Sequence, residues 1–144
     1  MLDEIFDYLL EFGFTKEELR RFEDENSEMF EVDLKVVKDN IEFLFNKKLT
    51  KEEIIEVIKN DPFMLTDKKN RRDYYDKLYI DVLKLTDEEI KSLIKSNNDV
   101  YSASPVELEK IINYLSGKNK DVKKMILSYP KIITMRLDDI KNII

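Results

Sequence analysis

The sequence predicts an all-α fold: a short right- or left-handed superhelical solenoid of about three and a half helical repeats, roughly nine helices. Three observations predict it. First, one pattern recurs along the chain, in FTKEELRRF (14–22), LTKEEIIEVI (49–58), LTDEEIKSLI (85–94) and KNKDVKKMI (118–126). A recurrence at about this period marks stacked repeats. Second, three of the four copies open on the same Thr-x-x-Glu helix start. Third, the chain is 42% apolar and 39% charged, with only two Gly and three Pro. That profile suits helices, and no stretch alternates with period two as a strand would.

The elements follow in order. Residues 2–12 read as an N-terminal capping helix, and residues 16–26 as the first helix of the first repeat. Thr15-x-x-Glu18, Thr50-x-x-Glu53 and Thr86-x-x-Glu89 are capping boxes. In each the Thr hydroxyl accepts from an orphan N–H and the Glu reaches back to the Thr N–H. The fourth copy lacks the box, and Asn119 is its expected N-cap. The leading apolar anchors are Leu19, Ile54, Ile90 and Val122, spaced 35, 36 and 32 residues apart. Each is followed three residues on by a second anchor (Phe22, Val57, Leu93, Met125), which makes one helical face.

Eight residues after each leading anchor stands a stop: Ser27, Pro62, Asn98 and Pro130. Proline pushes the residue before it out of the helical region, so helices 51–60 and 120–129 end there. Three residues past each stop lies Phe30, Leu65, Tyr101 or Ile133. Ten past lies Val37, Arg72, Leu108 or Ile140, and seventeen past Leu44, Tyr79 or Leu115. The longer second helices are therefore expected at 34–47, 68–84, 105–116 and 137–143, with 87–96 opening the third repeat. Arg72 interrupts the apolar series, so helix 68–84 is expected to slip phase there, with Tyr75, Leu78 and Val82 taking over. Before helix 105–116, Ser104 is an N-cap, Pro105 sits at the first helical position and Glu107 is placed to close a fourth box. The expected organisation is one domain over 1–144, with a cap at 1–11 and units at about 12–46, 47–82, 83–116 and 117–144.

An apolar anchor, a Pro eight residues later, then apolar residues at three, ten and seventeen resembles the helical repeat of the mitochondrial transcription termination factor (mTERF) family. Pro62 with Leu65, and Pro130 with Ile133 and Ile140, carry the resemblance best. It spans about residues 12–144. The resemblance implies nucleic-acid binding along a basic groove, with a role in transcription or organelle gene expression.

Catalytic constellations are scarce. The chain has no Cys and no His, so it lacks a thiolate nucleophile, a cysteine metal site and the commonest general base. Its only glycines, Gly13 and Gly117, cannot make a phosphate-cradling loop. Glu52, Glu53 and Glu56, like Asp138 and Asp139, read as charges complementing helix N-termini. SNNDVYSASP (96–105) lacks the ligand spacing of a calcium loop and reads as a polar turn. The expectation is a binding protein, not an enzyme, with no cofactor and no metal site.

Two clusters suit nucleic acid. KKNRRDYY (68–75) sets Lys68, Lys69, Arg71 and Arg72 beside Tyr74 and Tyr75, a composition that grips phosphates and stacks on bases. It reads equally as a solvated helix start with buried tyrosines. Lys118, Lys120, Lys123, Lys124, Lys131 and Arg136 form the second cluster. On helix 120–129 the expected apolar face is Val122, Met125, Ile126 and Tyr129, with the lysines on the wet side. That too is how an ordinary solvated face looks.

Charge limits the footprint. The net charge is −6, but residues 1–33 hold three basic against twelve acidic residues, a net of −9. Residues 110–136 hold seven basic residues against Asp121 alone, a net of +6. The alternative reading is a protein-interaction module whose acidic N-terminal surface, EDENSEMFEVD (23–33), docks a basic partner or mimics nucleic acid. The acidic N-terminus carries no targeting signature, so a cytoplasmic location is expected, and no apolar run is long enough to span a membrane. The apolar C-terminal residues Ile143 and Ile144 suggest packing back onto the preceding helices or self-association.

Overall fold

A computed structural model describes residues 2–25, 27–96, 100–101 and 104–143. The chain is an all-α helical-repeat protein; among the described residues there is no strand. It divides into two compact units, Met1–Lys68 and Lys69–Ile144.

The first unit holds α1 (Leu2–Phe12), α2 (Lys16–Glu25), a 3-10 turn at Ser27–Phe30, α3 (Leu34–Asn46), α4 (Lys51–Asn60) and a second 3-10 turn at Pro62–Thr66. Its core is Ile5, Leu9, Leu19, Phe22, Phe30, Val37, Leu44, Ile54, Ile58 and Leu65, all buried. α3 lies against the Pro62–Thr66 turn. Buried Asn40 ties the two together: its Nδ2 donates to Leu65 O (2.8 Å), Asp67 O (3.1 Å) and Val36 O (3.0 Å). The turn's carbonyls, which a short 3-10 segment leaves without helical donors, thus find a side-chain donor.

The second unit holds α5 (Lys69–Asp76), a π-helical turn at Lys77–Val82, α6 (Asp87–Ser96), α7 (Pro105–Gly117), α8 (Val122–Ser128), a 3-10 turn at Pro130–Thr134 and α9 (Leu137–Ile143). Tyr75, Tyr79 and Tyr101 pack together with ring centroids 5.5–5.7 Å apart, one pair stacked and two edge-on. The Tyr79 hydroxyl donates to Val100 O and the Tyr101 hydroxyl to Asp76 Oδ1 (2.7 Å). Burial pushes both phenols well above their usual pKa.

Backbone geometry repeats with the sequence. Gly13, Lys48, Lys84 and Asn119 all have positive φ, at intervals of 35, 36 and 35 residues. Each closes a longer helix in the manner of a Schellman motif. After Gly13, Lys48 and Asn119, the next N–H reaches back five residues: Phe14 to Leu9 O, Leu49 to Leu44 O, and Lys120 to Leu115 O. After Lys84 the reach is six, Leu85 to Tyr79 O, because the π turn holds one extra residue. That insertion accounts for the 36-residue interval. Two residues past each positive-φ position sits the N-cap: Thr15, Thr50, Thr86 and Asp121.

Several expectations are corrected by this geometry. Asn119 is not the fourth cap; it takes the positive-φ place, and Asp121 Oδ1 accepts from Lys124 N–H at 3.2 Å. Helix 68–84 is α5 followed by the π turn, and the apolar series does not break at Arg72, which is itself buried. Tyr75 and Leu78 are buried as expected, but beyond them the apolar face passes to Leu83 and Leu85, and Val82 is exposed. Ser104 caps α7 by accepting from Glu107 N–H (3.3 Å), but the Glu107 carboxylate does not close the box. Its Oε1 accepts from Leu137 N–H at 2.8 Å and so caps α9. α8 begins only at Val122, and Tyr129 lies outside its apolar face, 70% exposed. The expected stop at Asn98, half of the polar turn 96–105 and Ile144 lie outside the described residues.

Candidate nucleic-acid interface

The two units differ in charge. Residues 1–68 hold ten basic and nineteen acidic residues, a net of −9; residues 69–144 hold fifteen basic and twelve acidic, a net of +3. The candidate cations divide by what the fold has already done with them.

In the 68–75 stretch the cations are largely engaged. Lys68, the last residue of the first unit, is exposed. Lys69 Nζ lies 2.7 Å from Asp73 Oδ2, one turn along α5. Arg71 sits over the Tyr75 ring, 6.0 Å from its centroid. Arg72 occupies a core position of the repeat at 7% exposure, so its guanidinium does not face solvent. The tyrosines are committed as well. Tyr75 is inside the aromatic cluster, and the Tyr74 hydroxyl donates to Glu109 Oε1 at 2.9 Å. That bond raises the Tyr74 pKa, with some burial adding to it.

In the second cluster one lysine is structural. Lys123 Nζ lies 3.1 Å from Glu89 Oε1 and donates to Lys84 O at 3.1 Å, docking α8 onto the start of the preceding repeat. The Glu89 carboxyl is held below its usual pKa, first by the Thr86 N–H of its capping box and then by Lys123. The first unit has the counterpart: Lys59 Nζ is 3.2 Å from Glu18 Oε2, the Glu of the Thr15 box.

Lys118, Lys120, Lys124, Lys131 and Arg136 are exposed and have no ion-pair partner among the described residues. Lys118 leans over the Tyr114 ring (5.6 Å), and so does Lys141 (5.5 Å), a cation outside the expected set. Tyr114 is half-buried on α7, so its ring is engaged by two cations rather than left open. Arg136 borders a cleft of about 640 Å³ that Lys110, Glu107 and Asp138 also line, which makes its charge mixed. Lys123, Lys124 and Asp121 border a shallower hollow of about 320 Å³ on α8.

Chemically, exposed lysines of this kind suit contact with the backbone of a polyanion. Exposed lysines on flexible stems meet phosphates as point charges, without the bidentate geometry that reads a base edge. Among the described residues, no group of three or more acidic side chains could hold a metal ion, and no helix is long and apolar enough to cross a membrane. Ile143 is 71% exposed at the end of α9.

The family model for mTERF matches residues 46–144. The match takes in the whole second unit and the Pro62 turn of the first, whereas the resemblance read from the repeat extends back to about residue 12. A search of curated proteins finds no match.

Proposed function

From the premise that this chain belongs to the mTERF family, we propose that it is a non-enzymatic helical-repeat module that binds nucleic acid through the exposed cations of its second unit, in the service of gene-expression control. Membership suggests the ligand class, since the family's repeat is a nucleic-acid-binding scaffold. One observation carries the choice of surface: five cations within residues 110–136 (Lys118, Lys120, Lys124, Lys131 and Arg136) stand exposed without an ion-pair partner among the described residues, Lys118 alone of them leaning on an aromatic ring. Arg72, which is buried, and Lys123, which is paired with Glu89, are left out of the proposed interface, and Lys69, in an exposed pair with Asp73, is placed at its margin. Unit 1, at −9, offers phosphate no net attraction, so the proposed footprint is confined to unit 2.

The test is fluorescence anisotropy with labelled oligonucleotides over a range of salt. Five phosphate contacts predict a slope of log K against log salt of about −3.5 for single strands and −4.5 for duplex. Changing Lys118, Lys120, Lys124 and Lys131 together to Ala is expected to flatten the slope by about 3. An unchanged slope in that variant would place the interface elsewhere. No binding at about 20 mM salt, where the electrostatic term is strongest, would overturn the reading and turn attention to a basic protein partner for unit 1.

A further inference from the structure

We propose that Tyr129 is a stacking platform for an unpaired base, so that this basic surface takes single-stranded nucleic acid in preference to duplex; the proposal rests on the reading above. Tyr129 is 70% exposed, while the other six tyrosines of the chain are buried or half-buried. Its backbone is already fixed. The N–H donates to Met125 O at 2.8 Å, ending α8, and the carbonyl accepts from Ile132 N–H at 3.0 Å, opening the Pro130–Thr134 turn. The turn itself does not require the exposure. The equivalent Asp61, with nearly the same dihedrals (φ −143°, ψ 82° against −135° and 77°), is buried.

The surroundings suit one ligand. Lys124 lies on α8 five residues before Tyr129, Lys131 lies two residues after it, and both are exposed. Asp121, the one acid within 110–136, is committed to the Lys124 N–H. An exposed aromatic ring on a fixed turn, with exposed lysines five residues before and two residues after it in the chain, offers a strand a π-face for one base and charges for phosphates. It costs little ordering, because only side-chain rotamers remain to be frozen. Bases inside a duplex are already stacked on both faces, so the ring offers a duplex nothing beyond its phosphates.

The chain has no tryptophan, so Tyr129→Trp creates a single reporter at this position. Its emission is read while oligothymidylate, oligouridylate or a blunt hairpin duplex is added, with affinity measured separately by anisotropy. The expected result is quenching by the single strands and not by the duplex. Tyr129→Ala should weaken single-strand binding about 5- to 100-fold and leave duplex binding unchanged, and Tyr129→Phe should keep the parent affinity. Single-strand binding without quenching, and unweakened in Tyr129→Ala, overturns the platform while nucleic-acid binding stands. Absence of binding to all three oligonucleotides overturns both. Circular dichroism of the Ala variant guards against a folding defect.

Discussion

Replacing Asn40 with Ala removes the pin between α3 and the Pro62–Thr66 turn. Asn40 is 1% exposed, and its Nδ2 faces three carbonyl oxygens at 2.8–3.1 Å. An amide nitrogen has two hydrogens, so two bonds are made at a time. Val36 O belongs to the helix interior and can keep a helical donor, so the bonds at stake are those to Leu65 O and Asp67 O. Losing one buried and one part-buried hydrogen bond costs about 1–3 kcal/mol, and leaving the buried Leu65 carbonyl without this donor moves the figure toward the upper end. Against this, Asn40 Oδ1 is itself buried without a partner, so its deletion removes an existing cost. The expected net loss is about 2 kcal/mol.

Urea unfolding followed by circular dichroism reads this directly. With m at about 2 kcal/mol/M, the midpoint for the first unit falls by about 1 M with m unchanged. Asn40→Asp sharpens the test. An ionised carboxylate there has no donor to offer three carbonyls, so its folded pKa rises above the unfolded value of about 3.9. The folded state then holds the proton more tightly, and the deficit relative to the parent is full at pH 7 and shrinks as pH falls through the raised value. An Ala variant within about 0.5 kcal/mol of the parent, or an Asp variant no worse than Ala at pH 7, would refute the account of Asn40 as the donor that satisfies this turn.

Two further outcomes are expected. Glu18 and Glu89 have pKa values lowered first by the N–H of their capping threonines. Their contribution is present above the unfolded value of 4.5 and is lost as pH falls through the lowered folded values, so melting temperature should drop over that acid range. The double variant Glu18→Gln, Glu89→Gln should be slightly less stable at pH 7 and show a flatter acid limb in thermal melts; an unaltered acid limb would assign acid loss to other carboxylates. Glu107→Ala should uncap α9 and speed exchange of the Leu137 amide by about 10- to 100-fold, the worth of a charge-assisted bond, with Glu107→Gln intermediate. Equal exchange in all three proteins would sink that assignment.

Most of the fold was legible because its determinants are local. Thr-x-x-Glu boxes and proline stops act within four residues, and the apolar positions three, ten and seventeen past each stop are all buried, including the polar one at Arg72. The misses are places where a residue departs from its habitual role. Lys48 and Lys84 adopt the positive φ that glycine takes at position 13, and nothing about lysine announces it. Asn119 was read as a cap because asparagine favours caps, yet it favours positive φ as well, and only the 35-residue interval from Lys84 decides between them. Applied to Thr86, the same interval would have found Asp121.

The site was less legible, for a reason that charge counting cannot reach. Composition placed seven basic residues against one acid in 110–136, but whether a lysine is available depends on partners far away in sequence. Lys123 and Lys124 are neighbours with the same chemistry. One meets Glu89 and Lys84 O, more than thirty residues back, while the other turns to water. Likewise Tyr75 and Tyr129 stood on equal terms until packing buried the first at a repeat position and a proline turn held the second in the open. A repeat built from apolar positions fixes where the core lies; in what remains, the useful cations are those that no capping box or aromatic ring has already taken. By that rule Lys118 ranks below Lys124 and Lys131, since it already leans on Tyr114, and single Ala substitutions should weaken oligonucleotide binding in that order.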